Sequence, residues 1–573
     1  MASNRMTIMG TRHVVSAGHY LAAHAGFEVL EAGGNAVDAG VAAGIAVGVL
    51  QTDKVNFGGV APQLIYTARD RKVHCIDGLG VWPKAVTPDY FVKRHGGKIP
   101  LGVERCVVPA APDAWITALE RFGTMSFGEV ASAAVRFARE GFPMYPLMAE
   151  FIRDNRDVYA RWPSSAKVFL PRGRPPQAGE IFVQSDLGGT LQYLADEEKR
   201  PARRKGRKAG LRAARDAFYK GDVASAVTRF IEREGGLMRY EDFARFSVRF
   251  EPTVRSRFDG IELHACGPWS QGPVLPMALN MLKGYNLEVI GHNTPEYIHL
   301  VTEAFKLAFA DRHHHFGDPR FVKVPIKGLM SDAYAEHRRA LISPEKAYPG
   351  MPPAGDPATL ARLEHRCVPA PEPDEAPGPG DTSYLCVMDR HGNAFSSTPS
   401  DGSDKTPIIP GVGILCSGRG TQSWADPRHP SSVAPGKRPR LTPNPALALK
   451  NGRAYMPFGT PGGDVQTQAM LQVFLNVNVF EMDAQSAVEA PRFATYSYPG
   501  SFEPHPYYPD RLYLEARIER SVGDGLASRG HKVYWWDDST WLAGSVCAIV
   551  ADHKNGVLHG GADARRPAYV LGW

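Results

Sequence analysis

The chain has 573 residues, more than one small core needs, and this length predicts two or three lobes or one large layered domain. Hydrophobic content of 43%, charged content of 22% and a net charge of +6 are ordinary for a globular protein. Seven scattered cysteines with no CxxC pair argue against a disulfide framework and a zinc ribbon, and they fit a reducing compartment.

The N-terminal stretch "MASNRMTIMGTRHVV" has neither an apolar region nor a small-residue cleavage site. It therefore predicts no secretory signal, and a cytoplasmic location is expected. No run of about 18 uncharged apolar residues occurs, so no membrane span is predicted. The best candidate, residues 36–50, carries Asp38 and is typical of a buried helix.

In chain order, residues 12–50 predict a pair of helices, the second capped by Asn35. "APQLIYTARDRKVHCIDG" alternates around a polar turn and predicts a hairpin. Residues 110–240 indicate mainly helices, and "FDGIELHACGPWSQGP" indicates a strand and a turn. "TPEYIHLVTEAFKLAFADRHHHF" is an amphipathic helix with Thr294 as its predicted cap.

The pattern changes after the Pro-rich, acidic stretch "PAPEPDEAPGPG" at residues 369–380. "TSYLCVMD", "NAFSSTPS", "ALALKNG" and "AYMPFGT" predict short strands, and a helix follows the "PGG" turn. Strands return at "KVYWWD" and "SVCAIVADHKNGVLHGG". Strands and helices in blocks predict sheets covered by helices, that is, a layered α/β or α+β architecture.

Residues 199–215 carry nine basic side chains. Nucleic-acid or anion binding is one interpretation of such a run. Because no aromatic residues interrupt it and the net charge of the chain is modest, a solvated surface insertion is favoured.

Three consecutive histidines, His313–His315, raise the question of a metal. Neighbouring residues on a helix point about 100° apart, so three in a row cannot face one ion. Asp311 and His315 could do so, but no second cluster stands out in the sequence. No metal site is predicted.

Thr382 stands where the Pro-rich linker meets the first of the later strands. If the bond after Asp381 were cut, Thr382 would gain an α-amine with a pKa of about 7.7–8.0, able to serve as base for its own hydroxyl. The linker would supply slack for self-cleavage. A threonine at the start of an ordinary strand explains the same residues, so this stretch alone leaves both interpretations open.

A glycine pair downstream could serve the same reaction. In "FGTPGGDVQTQ", Gly462 and Gly463 lie between a predicted strand and a predicted helix. Backbone N–H groups at such a turn are uncovered and suit the oxyanion of a tetrahedral intermediate. Alone, this motif is only a turn.

The motifs together resemble the γ-glutamyltranspeptidase family of N-terminal-nucleophile hydrolases. They are "EAGGNAVDAGVAAGIAVGVLQTDKVNFGG", "GPWSQGPVLPMALNMLKGYN", "EAFKLAFADRHHHFGDPRF", "DTSYLCVMDRHGNAFSST", "PGKRPRLTPNPAL", "GTPGGD", "AVEAPRF" and "GGADARR". They occur in the family's order and span nearly the whole chain. The basic segment 199–215 is the main exception.

The resemblance implies an α+β fold, a four-layer αββα sandwich. It also implies a zymogen that cleaves itself autocatalytically before Thr382. Residues 1–381 would form a large chain and residues 382–573 a small chain, and both together would form one αββα domain. The two chains would be each other's partners, and a small-molecule amide would be the substrate.

The resemblance also assigns roles in the site. Thr382 would be the nucleophile, and Ser400, in place of the usual threonine, would support it with a hydroxyl. Gly462 and Gly463 would supply the oxyanion donors. No cofactor, metal, nucleic acid or membrane is implied, and association of several copies stays open.

The groups with which the family binds glutamate are replaced here. Leu79 stands where an arginine normally clamps the substrate α-carboxylate. Thr421 and Gln422 stand where an acidic pair normally holds the α-amine, and Gly402 replaces an asparagine. Thr442 belongs to the segment that normally carries a serine pair. γ-Glutamyl compounds are therefore expected to bind poorly.

Arg419 is a new cation at the position of a usual glutamine. It favours an acyl group that carries a carboxylate, as in oxamate-like or dicarboxylic-acid amides. A structural ion pair is the alternative for this residue. Arg419, Gln422, Thr442 and Leu79 are thus the predicted substrate-binding residues.

The sequence therefore predicts a self-processing amidohydrolase or acylase that forms an acyl-threonine intermediate. Hydrolysis is expected to prevail over acyl transfer to an amino acid. The alternatives are a genuine γ-glutamyltransferase or glutathione hydrolase with a rebuilt glutamate site, and an uncleaved, non-catalytic member.

Overall fold

The computed structural model describes residues 4–364, 367, 372–373, 377–378 and 380–573. The predicted linker, residues 369–380, lies largely outside this part of the chain. The helices and strands below therefore refer to the described residues.

The strands belong to two large sheets and three small ones. In chain order they are β1 (Ile8–Gly10), β2 (Val14–Ala17), β3 (Gln63–Thr67), β4 (Lys72–Ile76), β5 (Phe142–Pro143), β6 (Ile181–Phe182), β7 (Phe250–Glu251), β8 (Val254–Phe258), β9 (Ile261–Ala265), β10 (Ala354–Gly355), β11 (Arg362–Leu363), β12 (Leu385–Met388), β13 (Ala394–Ser397), β14 (Ala446–Lys450), β15 (Arg453–Gly459), β16 (Phe493–Thr495), β17 (Arg511–Glu515), β18 (Lys532–Trp536), β19 (Cys547–Asp552), β20 (Val557–Ala562) and β21 (Tyr569–Gly572).

The helices cover the outer faces of the two large sheets. They are α1 (Tyr20–Glu31), α2 (Ala36–Leu50), α3 (Tyr90–His95), α4 (Ala111–Phe122), α5 (Phe127–Glu140), α6 (Pro146–Asp154), α7 (Arg156–Ala160), α8 (Pro163–Phe169), α9 (Ser185–Lys205), α10 (Arg207–Tyr219), α11 (Asp222–Arg233), α12 (Tyr240–Ala244), α13 (Val274–Leu282), α14 (Leu287–Ile290), α15 (Pro295–His315), α16 (Ile326–Leu329), α17 (Asp332–Arg339), α18 (Gln466–Asn478), α19 (Ala484–Glu489) and α20 (Arg520–Ser528).

Each large sheet has seven antiparallel strands. The first has the order β21-β2-β12-β13-β3-β4-β7, and the second has the order β1-β20-β19-β15-β14-β9-β8. In the first, Leu385 pairs with Ala17 on one side and with Ser397 on the other. The predicted hairpin forms as β3 and β4.

Alternation along the central strands generates the layers, because successive side chains point to opposite faces. On β12, Leu385 and Val387 join the core formed with the N-terminal helices, whereas Cys386 and Met388 face the second sheet. On β14 the odd-numbered residues face the first sheet, and the even-numbered ones face α13, α15 and α18. The fold is therefore the four-layer αββα sandwich that the sequence predicts.

The helical pair predicted for residues 12–50 needs one correction. Val14–Ala17 forms strand β2, and the helices begin only at Tyr20 and Ala36. β2 is fully buried and pairs on both sides, which suits the β-branched valines at its start. Helix α2 is buried along its whole length and capped by Asn35. In the described part of the chain, no helix is apolar over a length that would cross a bilayer.

The basic segment 199–215 belongs to α9 and α10, which pack against each other in the outer helical layer. Most of its cations are exposed, as predicted. Arg207 instead donates to the carbonyls of Leu119, Gly123 and Met125, and Arg215 pairs with the buried Asp113. The expected surface insertion is thus wrong in one respect, since two of the cations fasten these helices to the core.

Candidate active site

Thr382 lies just before β12, and Ser400 lies just after β13. Because the two strands are antiparallel neighbours, these two positions meet at the same end of the hairpin. The Thr382 Oγ1 and Ser400 Oγ atoms are 2.8 Å apart, and both residues are fully buried. The structure therefore brings together the predicted nucleophile and its predicted supporting hydroxyl.

The backbone at this junction is strained. Thr382 has a φ of +138°, and Asp401 has a φ of +109°. Such values are unusual for residues with a side chain, above all for a β-branched one, and cost on the order of 1–3 kcal/mol each. Strain of this kind persists only where the surrounding contacts impose it.

Hydrogen bonds fix the residues on both sides of the Asp381–Thr382 bond. Upstream, the Asp381 carboxylate accepts from the Arg419 Nη2 and the Gly402 N–H, each at 2.9 Å. Downstream, the Thr382 carbonyl accepts from the Arg566 Nη1 at 2.9 Å. The bond is fixed next to the Thr382 hydroxyl by charged side chains from distant parts of the sequence.

Arg419 begins a short 3₁₀ helix, Arg419–Gln422, and is 1% exposed. Its Nη2 also donates to the Ser400 hydroxyl, and its Nε lies 3.2 Å from Asp401. Burial raises the pKa of Asp381, but the charge of Arg419 and the Gly402 N–H hold it below its ordinary value. Burial raises the pKa of Asp401 to about 6, against the opposing effect of Arg419.

Gly462 and Gly463 link β15 to α18, with φ values of +125° and +57°. In the part of the chain that the structure describes, neither N–H donates a hydrogen bond. The Gly463 carbonyl accepts from the Gln271 side chain at 2.8 Å, which fixes the turn. A Cβ on Gly380 would lie 2.6 Å from the Gly463 nitrogen, so the segment before Thr382 rests directly on this glycine pair.

A cavity of about 410 Å³ opens at this point. Gly380, Asp381 and the glycine pair line it, and so does Phe502, whose ring lies next to Gly463. The guanidinium of Arg419 lies 5.5 Å from the Phe502 ring. Tyr496, Tyr498 and Tyr508 also line the cavity, together with the charged residues Arg105, Lys405, Asp464 and Glu503. Such a mixture of aromatic and polar groups suits a small organic ligand.

The predicted substrate-binding residues fall into two groups. Gln422 donates to the Thr442 hydroxyl at 2.8 Å, and both residues are buried. The Gln271 side chain links them to the glycine turn, because it donates to the carbonyls of both Thr442 and Gly463. Leu79 does not line the cavity beside Thr382. It lies with Leu441 in the apolar core between the two sheets.

Sequence reasoning missed three residues of this site: Asp401, Phe502 and Arg566. Arg566 belongs to the "GGADARR" motif, which carried the resemblance but no role. The signal for Asp401 was its place directly after Ser400. Nothing in the local sequence of Phe502 indicated that it lines the site.

His299, Glu303 and His531 are a buried group whose side-chain atoms lie close enough to share an ion. His299 donates to the Ser343 carbonyl through Nε2, so its Nδ1 accepts from His531 at 2.8 Å. Glu303 pairs with Lys306. Each group therefore already serves a hydrogen bond. Asp311 and His315 likewise bind neighbouring protein groups.

Comparison with known proteins places this geometry in context. The profile described as gamma-glutamyltranspeptidase matches residues 22–573. The chain is 33% identical over 566 residues to the acylase ACY 1 proenzyme of Pseudomonas sp. (strain SE83), covering 96% of this chain and 92% of that protein. It is 29% identical over 574 residues to a glutathione hydrolase proenzyme of Bacillus subtilis (strain 168), covering 98% and 92%. The crystal structure of a cephalosporin acylase from Bacillus halodurans superposes with a TM-score of 0.86 at 29% identity, covering 100% of this chain and 98% of that chain.

Proposed function

Because this chain belongs to the gamma-glutamyltranspeptidase family, we propose that it is a self-processing amide hydrolase whose nucleophile is Thr382. The observation that carries the proposal is the pair of hydroxyls 2.8 Å apart at a strained, clamped peptide bond. The N–H groups of the glycine pair, which donate no hydrogen bond in the described part of the chain and lie against Gly380, add an oxyanion site. The relatives named as proenzymes support the same conclusion.

The first reaction is cleavage of the chain itself. The Thr382 oxygen attacks the Asp381 carbonyl carbon, and its proton passes to the nitrogen as the C–N bond breaks. This step yields an ester and a free α-amine on Thr382, and it relieves the positive φ of that residue. Water then hydrolyses the ester, which leaves residues 1–381 and 382–573 as separate chains.

The second reaction is turnover of an amide. The neutral α-amine takes the Thr382 hydroxyl proton, and the oxygen attacks the substrate carbonyl. The N–H groups of Gly462 and Gly463 stabilise the oxyanion, and Ser400 positions the nucleophile. The amine departs with a proton, and water hydrolyses the acyl-threonine ester. No step needs a group from outside the protein other than water.

The acyl group is proposed to differ from γ-glutamyl. An α-carboxylate needs a cation and an α-amine needs an anion, but Leu79 and Leu441 are apolar and buried. Gln422 and Thr442 are neutral and share one hydrogen bond. These four positions therefore offer a zwitterionic ligand neither of the charges that it needs, and their replacement favours an acylase over a glutathione hydrolase.

The test is the intact mass of purified protein during incubation. Wild type is expected to separate into chains of residues 1–381 and 382–573, whereas Thr382→Ala stays whole. Thr382→Ser keeps the hydroxyl and is the matched control that should still cleave. Wild type that stays whole would refute the proposal and leave the uncleaved, non-catalytic alternative.

A further inference from the structure

The uncleaved chain carries its own acyl group in the site. Self-cleavage and turnover form the same bond, an ester on the Thr382 oxygen. In the first reaction the acyl part is Asp381, so this residue is the acyl group of the first turnover. Whatever binds the Asp381 side chain before cleavage is therefore placed to bind the corresponding part of a substrate afterwards.

A built anion site binds that side chain. Its carboxylate accepts from the Arg419 Nη2 and from the Gly402 N–H, each at 2.9 Å. Asp381 has 10% of its side chain exposed, and Arg419 has 1%. A charged group so deeply buried is costly without partners, and in the uncleaved chain Arg419 has two, Asp381 and Asp401.

Arg419 can also donate a further hydrogen bond. Its Nη1 has no hydrogen-bond partner in the described part of the chain. Asp401 and Ser400 remain with the small chain after cleavage and keep the guanidinium in place. A second carboxylate oxygen could thus be bound through Nη1, as arginine forks commonly do.

Cleavage changes which ionisable groups the site contains. It removes the Asp381 carboxylate when the end of the large chain departs, and it adds the α-amine of Thr382. Arg419 Nη2 and the Gly402 N–H then lose the carboxylate that they bound at the edge of the cavity, while Asp401 stays beside Arg419. The segment that departs, which includes Gly378 and Gly380, also lines this cavity, so its loss makes room for a substrate.

We propose that the mature enzyme binds the acyl part of its substrate as a mimic of Asp381, with a substrate carboxylate on Arg419 and the Gly402 N–H. In Asp381 two carbons separate the carbonyl carbon from the carboxylate carbon. The substrate class is therefore the monoamide of a four-carbon dicarboxylic acid, a succinyl amide. This inference rests on the proposed function, since it needs cleavage to empty the site.

Binding tests the anion site without catalysis. Succinate, titrated calorimetrically, is expected to bind the mature wild type at least about tenfold more tightly than succinamide, in which neutral amides replace both carboxylates. It is expected not to bind uncleaved Thr382→Ala, where Asp381 occupies the site. Equal binding to both proteins, or no binding to the mature enzyme, would overturn the inference.

Kinetics tests the substrate class. Mature wild type is expected to hydrolyse succinyl p-nitroanilide with a kcat/KM at least about tenfold above that of succinamoyl p-nitroanilide. Malonyl and glutaryl anilides should be poorer than succinyl. Arg419→Gln should bring the ratio of succinyl to succinamoyl near one, while Arg428→Gln, an exposed arginine on the same segment, should keep it.

The outcomes separate the two proposals. A chain that never cleaves refutes the proposed function. A chain that cleaves and hydrolyses both anilides equally well retains the function and loses this inference. If Arg419→Gln does not cleave, the succinate titration of wild type against Thr382→Ala decides the question, because it needs no change at Arg419.

Discussion

Replacing Gly380 by alanine should slow self-cleavage without harming the mature enzyme. A Cβ at Gly380 would lie 2.6 Å from the Gly463 nitrogen and 2.8 Å from the Gly462 carbonyl carbon. These are backbone atoms of a fixed turn, so the segment before the cleaved bond must withdraw to make room. The reactive arrangement is then populated less.

The size of the effect follows from the overlap. Forcing one extra methyl group into a tightly packed site costs about 1–3 kcal/mol. Taken as a loss of the reactive arrangement, this corresponds to a cleavage rate that is lower by about 5-fold to 150-fold. Once cleavage has occurred, residue 380 belongs to the departed end of the large chain. The kcat/KM of the mature enzyme on an anilide should therefore equal that of wild type.

The assay is a time course of intact mass for freshly purified precursor. Gly378→Ala is the matched control, because a Cβ there would meet nothing within 4 Å and that glycine lines the same cavity. It should cleave at the wild-type rate. Gly380→Ala cleaving as fast as Gly378→Ala would refute the placement of this segment on the glycine pair.

Three further outcomes are expected. Ser400→Ala should lower both the cleavage rate and kcat by about tenfold to a hundredfold in single-turnover assays, since it deletes a buried hydrogen bond, and Ser400→Thr should restore them. In a pH profile, kcat/KM of the mature enzyme should rise with pH to a plateau, with its midpoint at or below about pH 8. The reason is that nearby Arg566 favours the neutral form of the new α-amine and so lowers its pKa. A midpoint clearly above pH 8 would contradict this expectation. In the uncleaved Thr382→Ala chain, Asp318→Ala should lower the free energy of unfolding in urea by about 1.5–3 kcal/mol, because Arg438 loses one of its three carboxylate partners, whereas the exposed Asp332→Ala should change it little.

Local patterns predict the strands and a layered architecture, whereas the four-layer sandwich and the roles of Thr382 and the glycine pair are predicted only by the resemblance to a family. Alternating apolar residues mark β12 and β14, and the linker, Thr382 and the glycine pair are neighbours of strand ends. The resemblance to a family then supplies the way in which these pieces combine. Ser400 meets Thr382 because the hairpin between them is short and antiparallel.

The sequence could not predict contacts made across long separations. Arg566 reaches the Thr382 carbonyl from 184 residues away, and Phe502 lines the cavity from another loop. Arg419 illustrates the limit most clearly. Its charge indicated an anion, and only the fold shows that the anion now bound is Asp381 of the same chain. The early helix boundary was wrong because strand pairing on both sides of Val14–Ala17 is also a long-range effect.

The strand order bears on whether the molecule folds before or after it is cleaved. Each large sheet contains strands from both proposed chains, paired side by side: β2 lies beside β12, and β9 lies beside β14. The intact chain finds this arrangement as one connected polymer, but after the cut the same pairing requires two separate molecules to meet and interleave. Folding must therefore come before cleavage. Denatured mature enzyme is expected to recover far less activity on dilution than denatured Thr382→Ala precursor recovers native structure, so each molecule has in effect a single opportunity to assemble.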